Sequence, residues 1–386
     1  MQDGSSVKHS QIAYFLSAAL VIYAAINYYL LKRTSQALDG TGVIRLVVVW
    51  ALIVLVLAFP AGRIAERFFH AGITDALVRA GSLYLGIMFY GLLGAVLIDL
   101  VRLANRFLPF FQSGVLTGRI TWLAATIIIL SIVFIGQLVA VHPRLRTMDL
   151  DIAKKAPGLS TLSIVAVSDM HLGTVVGIAQ LQRIIALIRA ADPDIVLFAG
   201  DVFDMDVTDE MEQEIARVLR GISARYGVFA VTGNHEYYAG VEKAVSNLAA
   251  GKVVVLQDTA VLIADAFYLI GRRDLTALRM GSGRKSLEEI CSGVDRAMPL
   301  ILMDHQPFHL ENAQANGIDL QISGHTHNAQ LFPVNLFYGL IYEKSYGYLK
   351  KGNTSIVVSC GAGTWGPPVR TSSISEVLQI RLHFEK

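Results

Sequence analysis

"DIVLFAGDVFD", residues 194–204, decides how the C-terminal part of this 386-residue chain folds. Its apolar run, 195–199, has strand length, closes on a glycine and passes straight into two carboxylates, Asp201 and Asp204. Short apolar runs bounded by turn residues suit buried strands. The same grammar recurs in "LSIVAVSD" (162–169) and "GVFAVTGNHE" (227–236). Between these runs lie "IAQLQRIIALIRAA" and "MEQEIARVLRGISA"; in the first of them Ile178, Leu181, Ile184, Ile185 and Ile188 recur at helical spacing. Alternation of this kind predicts an α/β domain built from βαβ units.

Five polar clusters fall where such strands end. They are "SDMH" with Asp169 and His171, "GDVFD" with Asp201 and Asp204, "GNHE" with Asn234 and His235, "DHQP" with His305, and "GHTH" with His325 and His327. Open α/β sheets place ligands at the carboxyl ends of their strands, so the five could meet in one crevice. In the pairs Asp169/His171 and His325/His327 the side chains are two apart, which in extended backbone puts both on one face. A single histidine is more often a satisfied core residue than a ligand, and "GNHE" alone can be a simple turn. Five clusters with the same placement favour metal.

Imidazoles, carboxylates and an amide oxygen without thiolate suit Mn²⁺, with Fe²⁺ or Zn²⁺ as alternatives, better than Ca²⁺ or Mg²⁺ alone. Seven donors are too many for one such ion and about right for two. With Asp201 bridging, Asp169, His171 and His327 complete one metal, and Asn234, His305 and His325 the other. Two divalent cations against two carboxylates leave excess positive charge, for which a phosphoryl group is the natural guest. Metals roughly 3.5–4 Å apart also activate the nucleophile for attack at phosphorus. His235 is expected to stabilise the transition state or protonate the leaving oxygen, while Asp204 and Glu236 orient ligating groups.

These motifs, in this order, resemble the calcineurin-like metallophosphoesterases: DxH, GDxxD, GNHE, a lone histidine and GHxH. The resemblance covers about residues 159–386, and the closing "VVSCGAGTWGPPVR" is similar to the corresponding loop of the bacterial membrane-linked branch. It implies a four-layer αββα sandwich around a dimetal site, with the ligand and acid assignments given above. One activity in that branch is cleavage of the pyrophosphate of UDP-2,3-diacylglucosamine; other members act on generic phosphodiesters or monoesters.

The first 140 residues lie outside the resemblance. With 53% hydrophobic and 17% charged residues, the chain is more apolar than an ordinary soluble protein. Four apolar stretches, 11–31, 43–59, 81–101 and 120–141, are each long enough to cross a bilayer, which predicts an all-α membrane domain over 1–141. The second stops at Pro60, which leaves a buried or re-entrant helix open. Asp99 is a carboxylate inside a span, with an interfacial place beside Arg102 as its simpler reading. Without a small-residue cleavage site, the first run is expected to be a retained anchor.

Four crossings put the N-terminus and the C-terminal domain on one side. Lys8, Arg63, Arg67, Arg79, Arg144, Arg146, Lys154 and Lys155 fall on that side, against Lys32, Arg33, Arg45, Arg102, Arg106 and Arg119. The imbalance leans towards a cytoplasmic catalytic domain, and the resemblance to the bacterial membrane-linked branch implies an integral protein of the bacterial inner (plasma) membrane. Residues 142–160 read as a linker or first edge strand, leaving 161–386 as the metallophosphoesterase domain. The net charge of +2 gives no argument for a nucleic-acid partner, and Cys291 and Cys360 are expected to be small buried residues.

The function expected is therefore membrane-anchored hydrolysis of a phosphodiester or pyrophosphate, with a lipid-linked substrate as one candidate. A receptor or transporter whose metallo-domain binds a phosphorylated ligand without turnover is the alternative. Two features stand outside the motifs. Residues 271–290 concentrate Arg272, Arg273, Arg279, Arg284 and Lys285, either as a second phosphate contact or as a solvated loop neutralised by Asp274, Glu288 and Glu289. Trp365 could rim the cleft, rest on a membrane or simply pack.

Overall fold

The computed structural model describes residues 3–69, 71–112, 115–205 and 207–385, with backbone alone at 3–13, 15, 16 and 117. Two compact units divide the chain, Met1–Ile135 and Gly136–Lys386. Helices α1 (Asp3–Ala37), α2 (Val43–Ala65) and α3 (Gly72–Phe107) lie in the first, and α4 (Arg119–Val141) runs from the first into the second. Among the described residues, α2, α3 and α4 are long and apolar enough to cross a membrane. The expected crossing at 11–31 lies within α1, where the side chains of 11–13, 15 and 16 fall outside the described residues.

Helix α2 does not stop at Pro60 but continues through it to Ala65. Its 23 residues at about 1.5 Å each reach roughly 34 Å, enough to span the hydrocarbon core. Asp99 on α3 has three partners: Tyr29 Oη donates to it at 2.6 Å, Arg102 Nη1 at 2.8 Å, and Arg33 forms an ion pair with it. The carboxylate is thus held by a network that reaches beyond Arg102.

The second unit contains two mixed six-stranded sheets. The first comprises β1 (Arg144–Ile152), β2 (Thr161–Val167), β3 (Ile195–Ala199), β4 (Val228–Val231) and β5 (Val254–Val255), joined by β12 below, in the order β1-β12-β2-β3-β4-β5. The second holds β6 (Thr259–Ile263), β7 (Phe267–Gly271), β8 (Leu300–Met303), β9 (Leu320–Ser323), β10 (Gly347–Lys351) and β11 (Thr354–Val358) in the order β10-β11-β9-β8-β7-β6. β12 (Glu376–Phe384) returns to the first sheet and pairs parallel with β1, from Arg144 opposite Glu376 to Ile152 opposite Phe384. The segment read as a linker or edge strand therefore contains a nine-residue edge strand.

Side-chain alternation explains the continuous apolar runs. Leu162, Ile164 and Ala166 of β2 point between the sheets, towards Leu269, Ile301 and Ile322. Val165 and Val167 point the other way, onto Leu181, Ile184 and Ile188 of α5 (Ile178–Ala190) and the apolar faces of α6 (Asp209–Leu219) and α8 (Val241–Ala250), α7 (Asn234–Ala239) lying between these two in the chain. A strand covered on both faces has no polar side to show. Ile270, Leu300 and Leu302 pack with Leu287, Ile290 and Ala313 in a third cluster. Cys291 and Cys360 are buried and unpaired.

Candidate metal centre

Five strands deliver the expected ligands from their carboxyl ends. Asp169 and His171 follow β2, Asp201 follows β3, Asn234 and His235 open α7 after β4, His305 follows β8, and His325 and His327 follow β9. The two-apart pairs are not in extended backbone as expected. β2 and β9 end before them, and Asp169, His171, His325 and His327 take φ of 52°, 47°, 71° and 48°; Asp201 takes 52°. Left-handed backbone, in place of strand alternation, accompanies the approach of these side chains to one another. Asp and His tolerate this region better than most residues, and such backbone strain clusters at functional sites.

The seven expected ligands and His235 converge. Asp169, His171 and His327 carry ligand atoms within 4.8 Å of one another, and so do Asp201, His305 and His325. Asp201 Oδ2 lies 3.1 Å from His305 Nε2 and 3.8 Å from His171 Nε2, between the two groups. Asn234 Oδ1 is 2.8 Å from His325 Nδ1 and so joins the second group. Steric demands around them are tight: a Cβ on Gly233 would run into the Asp201 carboxylate, and one on Gly324 into that of Asp169.

The donor arrangement fits cations. His305 Nδ1 lies 2.7 Å from the Ala199 carbonyl and donates to it, which turns Nε2 towards the Asp201 carboxylate at 3.1 Å. Buried His305 Nε2 has no hydrogen-bond partner, nor has buried His171 Nδ1. Nε2 of His171 and of His327 stand 3.0 Å apart, a separation at which two ring nitrogens need one shared proton or one cation. Burial pushes the pKa of His171 and His325 down to about 4, and that of His327 well below its ordinary value, so these rings are neutral, as ligation requires. Burial also works against charge on Asp201, but His305 beside it keeps its carboxyl well below the usual range. The two His/Asp clusters are consistent with a dimetal site.

Comparison with known proteins agrees with this geometry. Residues 162–329 match the family model of the calcineurin-like phosphoesterases. A zebrafish (Danio rerio) transmembrane protein with metallophosphoesterase domain is 30% identical over 400 residues, covering 96% of this chain and 89% of that protein. The chain belongs to the calcineurin-like phosphoesterase family. An uncharacterized metallophosphoesterase of Aquifex aeolicus is 31% identical over 64% of this chain and 98% of its own length. One of Helicobacter pylori is 32% identical over 57% of this chain, a match that spans 60% of that relative.

Around the His/Asp clusters of this phosphoesterase lies a supporting shell, only part of which was legible in the sequence. Glu236 accepts the backbone N–H groups of Asp201, Val202, Phe203 and Gly233 at 2.7–3.0 Å, and Asp204 Oδ1 lies 3.1 Å from His235 Nδ1. Burial opposes charge on His235, yet the hydrogen bond to Asp204 and the nearby carboxylates outweigh it and hold its pKa above the ordinary value. Sequence reasoning missed Arg370. This fully buried guanidinium donates to the Gly363 carbonyl and sits 3.1 Å from His327 Nδ1. Its only signal was a cation after two prolines.

The basic segment 271–290 divides: Arg279 and Lys285 are exposed, as a solvated loop has them, and Arg272 and Arg284 turn inward. The side chains of Arg272 and Arg284 are buried and converge on Asp304, the neighbour of His305, at 3.0 Å and 2.6 Å. Backbone N–H groups of Arg273 and Lys285 donate to Asp258. These cations found a buried carboxylate that the sequence reading had passed over. The cleft above the two His/Asp clusters has a volume of about 310 Å³ and is lined beyond them by His235, Gln330, Leu331, Tyr338, Tyr342 and Trp365.

Proposed function

We propose that this chain is a membrane-anchored dimetal phosphoesterase that hydrolyses phosphodiester or pyrophosphate bonds. The observation that carries it is the position of Asp201 between two three-residue donor groups, at the floor of a cleft of phosphoester size. In this reading Asp169, His171 and His327 would hold one ion and Asn234, His305 and His325 the other, with Asp201 shared between them. Two divalent ions held there would neutralise the phosphoryl oxygens and supply the nucleophile from water.

The residues of the chain do the rest. Asp204 binds Nδ1 of His235 and favours its protonated form, leaving Nε2–H to be handed to the leaving oxygen. Glu236 fixes the loop that carries Asp201 by gathering its N–H groups. Mn²⁺ is the first choice of metal from the donor set, and a phosphoester with a lipid-linked part is the substrate class that a membrane anchor favours. Helices over 1–141, with four crossings, would keep the catalytic domain, 161–386, on the side of the N-terminus, the cytoplasmic side. The family's four-layer αββα arrangement is the architecture we assign to that domain.

The test is hydrolysis of bis-p-nitrophenyl phosphate by detergent-purified full-length protein, stripped of metal and resupplied with Mn²⁺. Turnover that requires Mn²⁺ and vanishes in Asp201→Ala is expected. Two bound metals per chain without turnover on any phosphoester would replace the hydrolase with a binding protein.

A further inference from the structure

The rim of the cleft continues into an apolar surface. After the ligand His327, the chain passes Leu331, which lines the cleft, and enters a 3-10 segment at Val334–Leu340 whose Tyr338 also lines it. Phe332, Leu336, Phe337, Leu340 and Ile341 in this stretch are between 51% and 85% exposed, and Trp365 across the rim is 59% exposed. One face of the segment thus closes the cleft while the other presents large apolar side chains to the surroundings. Contiguous apolar surface of this kind marks a contact with something apolar.

The hydrogen bonds of the same unit say what covers it. The Gly136 carbonyl accepts from Arg370 N–H at 2.9 Å, Thr371 N–H donates to Gln330, and Phe332 N–H donates to Thr371 Oγ1. Gln330 in turn donates to the carbonyls of Trp365 and Pro367. Approach at Gly136 is close enough that a Cβ there would meet Val369 at 2.6 Å. Gly136 lies in α4, a candidate membrane span, five residues before its end at Val141. At about 1.5 Å per residue this is roughly 7.5 Å inside the end of the helix. That depth matches the roughly 5–10 Å to which interfacial apolar faces sink.

We propose that the segment 332–341, with Trp365, seats in the bilayer surface, so that the cleft opens at the lipid interface and takes phosphoesters whose apolar part stays in the membrane. This substrate class rests on the hydrolase reading above; the seating itself does not. Trp and long aliphatic side chains beside one another are the composition of an interfacial anchor.

Because Cys291 and Cys360 are buried, a cysteine introduced as Leu340→Cys can be labelled selectively with an environment-sensitive fluorophore. The full-length labelled protein is reconstituted in vesicles of phosphatidylethanolamine and phosphatidylglycerol, beside Arg217→Cys on the exposed face of α6 as control. Quenching by spin-labelled acyl chains at Leu340→Cys and not at Arg217→Cys is expected, with aqueous iodide quenching reduced about threefold or more at the former, as interfacial burial predicts. Equal iodide quenching at both positions would overturn the seating, and so would protection from iodide without quenching by lipid, which would mean that protein covers the face. Absent aryl phosphodiester turnover with lipid quenching intact would sink the hydrolase reading alone.

Discussion

Glu236 lies beneath Asp201 as an acceptor: its Oε2 takes the Asp201 N–H at 3.0 Å and that of Gly233 at 2.7 Å, while Oε1 takes those of Val202 and Phe203. Each carboxylate oxygen satisfies two donors, in a position with no access to water. Glu236→Gln keeps the shape but turns an –NH₂ towards two backbone donors. With about 1–3 kcal/mol per buried unsatisfied group, the two stranded donors should cost roughly 2–6 kcal/mol. Thermal unfolding of the purified variant should show it, together with loss of phosphodiester turnover. Unchanged stability would mean that the N–H groups do not depend on charge.

His235 has a different burden. If it hands a proton to the leaving oxygen, its removal should hurt most where the leaving group is a poor one. His235→Ala should lower kcat about 10²–10⁴-fold on an alkyl phosphodiester and much less on a p-nitrophenyl ester, whose leaving group needs no proton. An equal loss on both esters would assign His235 to transition-state charge instead.

How much of this was visible in the sequence can be judged from Asp169 and Arg370. Asp169 belongs to a short motif after an apolar run, and local patterns of that kind survive into the structure because strand ends are where open sheets place ligands. The reason given for its pairing with His171 was nevertheless mistaken. Backbone handedness past a strand end depends on the packing around it, here on Gly363, whose Cβ would collide with the Met170 carbonyl. Arg370 is linked to His327 across 43 positions of sequence, and Arg284 to Asp304 across 20. Contacts at such separations carry no periodicity for a reader to find. Pro60 misled in another way, since a proline ends a helix in water more readily than in a membrane segment, where neighbours satisfy the freed groups.

Metal removal offers a measurement independent of turnover. Ions bound by the folded site and not by the unfolded chain add stability by mass action, about 2.7 kcal/mol for a ligand at a hundred times its Kd. For a domain of this size that corresponds to a rise in Tm of roughly 5–10 °C. Chelation should lower Tm by that amount and Mn²⁺ should restore it, with elemental analysis giving two metals per chain. Asp201→Ala should lose both the ions and the shift. A Tm indifferent to chelator would argue that the neutral imidazoles at His171 and His327 merely share a proton.

Asp304 provides the last test, because it decides what the basic segment is for. Its carboxylate is buried between Arg272 and Arg284, with side-chain exposures of 5%, 10% and 6%. Removing the acid strands two guanidinium groups out of water, whereas removing one guanidinium leaves the carboxylate its other partner. Breaking a buried pair costs about 3–5 kcal/mol, so Asp304→Ala should fall in that range and Arg284→Met well below it. Neither arginine would then face substrate, and Arg284→Met should leave KM for a phosphodiester unchanged while lowering Tm. A rise in KM with Tm intact would return Arg284 to the role of a phosphate contact.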